Sequence, residues 1–388
     1  MTARISKNPL RGPYPVVAPD PKLAGYHHRM PAYAPTLLFN APTLAARLGV
    51  GKLLIKAETQ RMGLPSFKIL GASWATYQAL CAHLGSEPEP WNNINELAAN
   101  LNHLRPFNLA AATDGNHGRA VAFMARLLGF GCHIFVPAGM VQSRIEAIRR
   151  EGATVTIVDG TYDDAVRQSA AMASKNCLVV SDTSWEGYEE TPSRVIEGYS
   201  TIFREVDDAL DTSGMERPDM VVIPMGVGAF MAAAVAHYRG ATKRNTLIVG
   251  VEPIDANCIQ ISAEAGHITE VPGPHNSIMV GLNCGTPSLI AWPLVSTGVD
   301  WFTAVDDEVA RNAMRELASI GIVAGETGAA ALGGLKALLT SKEWLAEGRD
   351  TRAATVLLVV TEGATDPDAY AAITGSPPEA IGRVMTAT

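Results

Sequence analysis

Lys68, in the stretch Leu64-Pro65-Ser66-Phe67-Lys68-Ile69-Leu70-Gly71-Ala72, is the side chain of this 388-residue protein placed to act as an amine nucleophile. After it, apolar residues recur at Leu70, Trp74, Tyr77, Cys81 and Leu84, a spacing that puts them on one face of an α-helix with Lys68 in its first turn. Pro65 and Ser66 are the expected start signals. The positive end of a helix disfavours an ammonium by only about 0.3–1 kcal/mol, less than one pKa unit. Burial against Phe67 and Trp74 is the stronger lever, able to lower a lysine by about 3–5 pKa units and leave a neutral amine near pH 7. Taken alone, the stretch favours a solvated lysine, because buried Lys is rare.

The remaining candidates follow apolar runs that read as strands, where open α/β sheets bind ligands. Asn108–Thr113 is followed by Asp114-Gly115-Asn116-His117-Gly118, a small-residue loop whose N–H groups would face an anion at a helix start. Cys177–Ser181 is followed by Asp182-Thr183-Ser184-Trp185-Glu186-Gly187-Tyr188, a second strand-end acid. Either Asp could instead be a helix cap. Met225-Gly226-Val227-Gly228-Ala229-Phe230 looks like a phosphate cradle. A dinucleotide (NAD) site is the alternative there, with Glu252 as the ribose acid, although Met231 stands where the third glycine belongs. Thr361, in Thr361-Glu362-Gly363, offers a hydroxyl for a ring nitrogen or closes an ordinary turn. Gly325-Glu326-Thr327-Gly328-Ala329 opens a helix expected to pack close by.

The elements that must position these residues alternate regularly. Strand runs at Lys52–Lys56, 108–113, 132–137, 154–158, 177–181, 220–224, 247–251 and 356–360 alternate with helices at 118–128, 142–150 and 163–175 and from 229 and 256. This is the pattern of two α/β units, each with a mostly parallel twisted sheet flanked by helices. Residues 1–30 read as a surface arm, His27-His28 included. The composition, 47% hydrophobic and 18% charged, is that of a globular protein, and the net charge of −8 excludes a nucleic-acid or anionic-membrane partner. The apolar run from Met220 to Ala236 is broken by Pro224, Gly226 and Gly228 and is short for a membrane span. Met1 to Arg11 lacks a signal-peptide core, so a cytoplasmic location is expected. Neither the five cysteines nor the nine histidines have metal-ligand spacing, so no metal is expected.

A lysine at a helix start, an Asn-containing loop, a glycine cradle and a late strand-end hydroxyl, in that order, resemble the fold-type II pyridoxal phosphate enzymes, the tryptophan synthase β-subunit group, from about residue 30 to about residue 370. Ser-Phe-Lys at 66–68, Thr-Asp-Gly-Asn-His-Gly-Arg at 113–119, Asp-Thr-Ser-Trp-Glu-Gly-Tyr at 182–188, Gly-Val-Gly-Ala at 226–229, Met-Val-Gly-Leu-Asn-Cys-Gly at 279–285 and Thr-Glu-Gly at 361–363 resemble the diaminopropionate ammonia-lyases within it. Threonine and serine dehydratases, the alternative, look similar in plan but generally carry a small residue where this chain has Asp114.

The resemblance implies a large cofactor domain of residues 1–72 and 183–388, a smaller domain of 73–182, an active site in the cleft, and a homodimer. It implies that Lys68 holds pyridoxal 5'-phosphate as a Schiff base, that Asn116 contacts the ring's phenolic oxygen, that Gly226, Val227, Gly228 and Ala229 hold the phosphate, and that Thr361 lies at the pyridine nitrogen. Backbone N–H groups of the loop carrying Thr113, Gly115, Asn116 and His117 are expected to bind the carboxylate of a small amino-acid substrate. Cys258 and Cys284 fall in stretches resembling the rim of the site. The activity expected is β-elimination of ammonia from 2,3-diaminopropionate, giving pyruvate and ammonia, with Lys68, Asp114 and Asp182 handling protons. Asp114 supports this independently, since a substrate bearing a β-ammonium group needs a carboxylate nearby and a hydroxyl-bearing one does not.

Overall fold

The structure, a computed structural model, describes residues 2–14, 18–160, 162–240 and 246–381. Residues 1 and 15–17 of the expected N-terminal arm lie outside this set. Two compact units are present, one formed by Met1–Ala18, Pro35–Gln60 and Ile202–Thr388, the other by Pro19–Ala34 and Arg61–Thr201. The strands of the described residues are β1 (Ala3–Lys7), β2 (Leu38–Asn40), β3 (Lys52–Ala57), β4 (Asn108–Ala112), β5 (Gly131–Pro137), β6 (Thr154–Val158), β7 (Cys177–Val179), β8 (Met220–Pro224), β9 (Leu247–Pro253), β10 (Trp301–Val305) and β11 (Thr355–Val360). Among these residues no helix is long and apolar enough to cross a membrane.

The first unit holds a seven-stranded sheet in the order β1-β10-β9-β8-β11-β3-β2. Its interior strands are parallel and its two edges, β1 on β10 and β2 on β3, are antiparallel. Strands buried on both faces need apolar side chains in both directions, which is why Met220-Val221-Val222-Ile223-Pro224 is a continuous apolar run. The core of this unit joins Leu53, Val222, Val251, Leu358 and the Glu326–Thr340 helix residues Leu332 and Leu335. The second unit holds a four-stranded parallel sheet, β6-β5-β4-β7. Both are the α/β sheets the alternation implies.

The N-terminal segment departs from expectation. Ala3–Lys7 is no loose arm but an edge strand in register with Trp301–Val305, a strand that lacks a turn signal of its own in the sequence. His27, expected at the surface, is buried in the Lys22–His28 helix. Its Nε2 faces the Leu70 carbonyl at 3.0 Å, which can only accept, so Nε2 carries the hydrogen and Nδ1 accepts from the Thr201 hydroxyl at 2.8 Å. With Tyr26 Oη donating to the Ser73 carbonyl at 2.8 Å, this short helix braces the segment that carries Lys68.

That segment is the Lys68–Leu84 helix. Its cap position is Phe67, in helical conformation and without a side-chain capping bond, so Ser66 does not start the helix as its type suggested. Nor is burial confined to one stripe, for every residue from Ile69 to Tyr77 is buried. The Glu190–Thr212 helix, whose first half belongs to this unit, accounts for part of that coverage. A Cβ on Gly71 would sit 2.5 Å from the Tyr199 ring, and one on Gly198 would sit 2.5 Å from the Leu70 carbonyl oxygen and 2.8 Å from Gly71 Cα. The two glycines thus let the helices touch backbone to backbone beside Lys68. Gly198→Ala should cost about 1–3 kcal/mol of stability, because a rigid carbonyl must move to admit the methyl group. Urea unfolding reads this directly, and an unchanged midpoint would contradict the close approach.

Candidate active site

The loop after β4 is built around Thr113. Its Oγ1 accepts from the N–H groups of Gly115 and Gly118, both at 2.9 Å, and so caps the start of the Asn116–Leu128 helix. Gly118 is required for this, since a Cβ there would lie 2.3 Å from Thr113 Cγ2, and Gly115 turns the chain at φ +146°. The Thr113 N–H is itself donated to the Phe135 carbonyl at 3.0 Å. The N–H groups of Thr113 and Gly115 are therefore engaged within the protein. Asn116 and His117 begin the helix, Asn116 half-buried and His117 fully buried.

The same unit brings Lys68, Asp182, His117 and Asp114 together. Lys68 Nζ donates to Asp182 Oδ2 at 2.7 Å, the two side chains being 22% and 10% exposed. The ammonium also lies 5.6 Å from the Phe67 ring centre and 5.8 Å from that of Tyr199, within cation–π range. Burial pulls the Lys68 amine down, as the sequence suggested. The charges of Asp182, Tyr199 and Asp114, with the hydrogen bond to Asp182, outweigh burial and raise the amine above the ordinary lysine value. The expectation of an amine made neutral by burial is thus reversed. In this state Lys68 is an ammonium held by a carboxylate.

Asp182 is the counterpart. Burial opposes its charge, but His117, Lys68 and the Lys68 hydrogen bond hold it at about 2. Of the two cations Lys68 is the one that persists at neutral pH, because burial pushes the His117 imidazole down. His117 Nε2 donates to the Val180 carbonyl at 2.8 Å, leaving Nδ1 as a lone pair 3.7 Å from Asp182 Oδ2. Two acceptors face each other there, so the bond between them closes only when one takes a proton. Asp182 caps no helix. Tyr188, stacked on Trp185 at 4.2 Å, fixes its loop by donating to the Val179 carbonyl and accepting from the Ser181 N–H. Tyr199, which no local signal in the sequence marks, is buried against Lys68 and packs edge-on against Phe67.

The first unit carries the cradle and the late hydroxyl. Gly228 turns at φ +97° just before the Ala229–Gly240 helix, and the N–H groups of residues 226–229 meet no backbone acceptor among the described residues. A Cβ on Gly226 would lie 3.1 Å from Cys284 Sγ and 3.2 Å from the Gly281 carbonyl oxygen. Cys258 Sγ lies 3.9 Å from the Gly226 carbonyl oxygen, and neither cysteine is in a disulfide. Gly281 donates to Thr327 Oγ1, and the Thr327 N–H donates to Glu362 Oε1, both at 3.2 Å, tying the cradle to the loop after β11. In that loop Thr361 is buried and its Oγ1 has no hydrogen-bond partner. A buried orphan hydroxyl and a helix start whose N–H groups meet no backbone acceptor among the described residues suit a ring nitrogen and a phosphate respectively. Glu252 excludes the dinucleotide reading. Its two oxygens accept from Ile259 and Gln260 N–H at 2.8 and 3.0 Å, and burial pushes it up to about 8, so it is a structural cap closed to a ribose.

The family described as "Pyridoxal-phosphate dependent enzyme" matches residues 29–362. Diaminopropionate ammonia-lyase of Salmonella typhimurium is 36% identical over 366 residues, 90% of this chain and 90% of that protein. Among solved structures, the holo diaminopropionate ammonia lyase of Escherichia coli superposes with a TM-score of 0.83 at 31% identity, covering 96% of both chains. The same enzyme in complex with an aminoacrylate-PLP azomethine reaction intermediate gives 0.84 at 31% identity, covering 96% of this chain and 97% of that one.

The balance at Lys68 has a measurable sign. Removing the Asp182 charge leaves burial as the larger influence, so Asp182→Asn should shift the pH at which the apoprotein amine captures pyridoxal phosphate downward by about one pH unit or more. The rate at which the cofactor absorption band grows, measured from pH 6 to 10, checks it. Superimposable profiles would contradict the assignment.

Proposed function

The chain belongs to the pyridoxal-phosphate dependent enzyme family, and from that premise we propose that it eliminates ammonia from diaminopropionate, one molecule of water then giving pyruvate and a second ammonia. The cofactor supplies an electron sink for the charge left at Cα. Lys68 would carry its aldehyde, Asn116 would meet the phenolic oxygen, the N–H groups of residues 226–229 would hold the phosphate, and Thr361 Oγ1 would meet the pyridine nitrogen. A neutral hydroxyl at that nitrogen leaves the ring a weaker sink than an acid would, which favours a reaction relieved by loss of a leaving group.

The observation that carries the substrate class is the Lys68–Asp182 ion pair. A carboxylate kept ionised in a nearly dry pocket and already closed on one ammonium is suited to receive another, the β-ammonium of the substrate, once Lys68 is engaged by the cofactor. Asp114, half-buried and close enough to raise Lys68 by its charge, faces the same region. Lys68 and Asp114 would then move the Cα proton on opposite faces of the substrate, so both enantiomers react. The β-ammonium already carries its proton, so on cleavage of the Cβ–N bond it departs as neutral ammonia and Asp182 holds it in place without gaining a proton. The family resemblance supports a homodimer as the setting.

A screen of 2,3-diaminopropionate, serine and threonine for release of 2-oxo acid tests this reading. Diaminopropionate should give the highest kcat/KM, and Asp114→Asn should lower kcat on it by about 100-fold or more, the usual worth of a positioned acid or base. Serine or threonine turned over as well as diaminopropionate would move the protein to the dehydratase reading.

A further inference from the structure

Arg144 has no part in the reading above, and no carboxylate among the described residues pairs with it. It lies in the first turn of the Gln142–Arg150 helix and is 6% exposed. Its one hydrogen bond is long, Nη1 to the Asp114 carbonyl at 3.5 Å, and its Nε is buried with no partner. The neighbouring Ser143 Oγ is also buried without one, and Val141 offers this helix no side-chain cap. An arginine cannot escape the cost of burial by losing its proton. A largely buried cation that no carboxylate among the described residues pairs with is costly, and an anion supplied from outside the chain would offset that cost.

The position of the guanidinium says which anion. A Cβ on Gly115 would lie 3.4 Å from Arg144 Cδ and 3.9 Å from Nη1, so the side chain runs along the very loop expected to bind a carboxylate. In that loop the N–H groups of Thr113 and Gly115 are already taken. We propose that Arg144 anchors the α-carboxylate of the amino-acid substrate, an inference that rests on the function proposed above for the substrate's class. The planar fork of a guanidinium matches a carboxylate with two parallel hydrogen bonds, and the weak bond to the Asp114 carbonyl holds it in place until the substrate arrives. Anchoring at this point also ties recognition of the carboxylate to the position of Asp114.

The test compares wild type, Arg144→Met and Arg144→Lys as holoenzymes. The shift of the cofactor band is titrated with alanine, which has a carboxylate but no leaving group, and with 1,2-diaminoethane, which has the two amines but no carboxylate. Arg144→Met should weaken alanine about 10–100-fold, the worth of a charge-assisted pair, and leave 1,2-diaminoethane unchanged. Arg144→Lys should fall between. The KM for diaminopropionate should rise by a like factor with kcat nearly constant, and the apoprotein of Arg144→Met should melt no lower than wild type. Equal weakening of both ligands, or a melting point several degrees lower, would make Arg144 structural and overturn the proposal. Unchanged alanine binding would overturn it too, as would thermal stabilisation by inorganic phosphate that is lost in Arg144→Met while alanine binding is kept. Wild-type protein without a cofactor band would fail the functional reading before any variant is compared.

Discussion

The contact on which the site depends is the hydrogen-bonded ion pair between Lys68 and Asp182 in a pocket that water barely reaches. Burial alone would neutralise the amine and protonate the acid. Paired, each group holds the other charged, with the amine raised and the carboxylate held at about 2. A pocket that holds ions this firmly must be rigid. Its walls are the Ile69–Tyr77 stretch of the lysine's helix, buried throughout, a Tyr188–Trp185 stack behind the acid and a glycine pair that lets Tyr199 close over the lysine.

Rigidity has a second source in how the loops use their own polar groups. Thr113 spends its hydroxyl on two N–H groups of its loop, Glu252 closes both oxygens on a helix start, and His117 commits one ring nitrogen to a carbonyl. Among the buried polar atoms that make no hydrogen bond, Thr361 Oγ1, His117 Nδ1 and Arg144 Nε belong to the loops and helix turn where chemistry is expected. In a protein interior an unsatisfied polar atom is costly, and at these three positions a cofactor or substrate would complete the structure.

Much of this was legible from residue order. The strand run Met220–Pro224 carries its own signal, because a strand covered on both faces must be apolar throughout. The loop that follows it advertises itself through small residues. What the sequence could not show is the outcome of competitions between distant groups. Whether burial or an opposite charge governs Lys68 depends on Asp182, more than a hundred residues away in the chain. His27 looks like a surface residue until Leu70 and Thr201 are seen to satisfy it, and Glu252 looks like a ligand until Ile259 and Gln260 are seen to use it. Arg144, in the first turn of its helix, and Tyr199, mid-helix, carry no local mark, and only the fold brings them to the loops they serve.

The central claim is that Lys68 is the amine that holds the cofactor while Asp182 governs its charge. Reduction of the holoenzyme with borohydride, followed by peptide mass mapping, addresses the first half without reliance on turnover. The account predicts one pyridoxyl modification, on Lys68, and its loss in Lys68→Ala. The same label on a different lysine, or a full label surviving in Lys68→Ala, would contradict it.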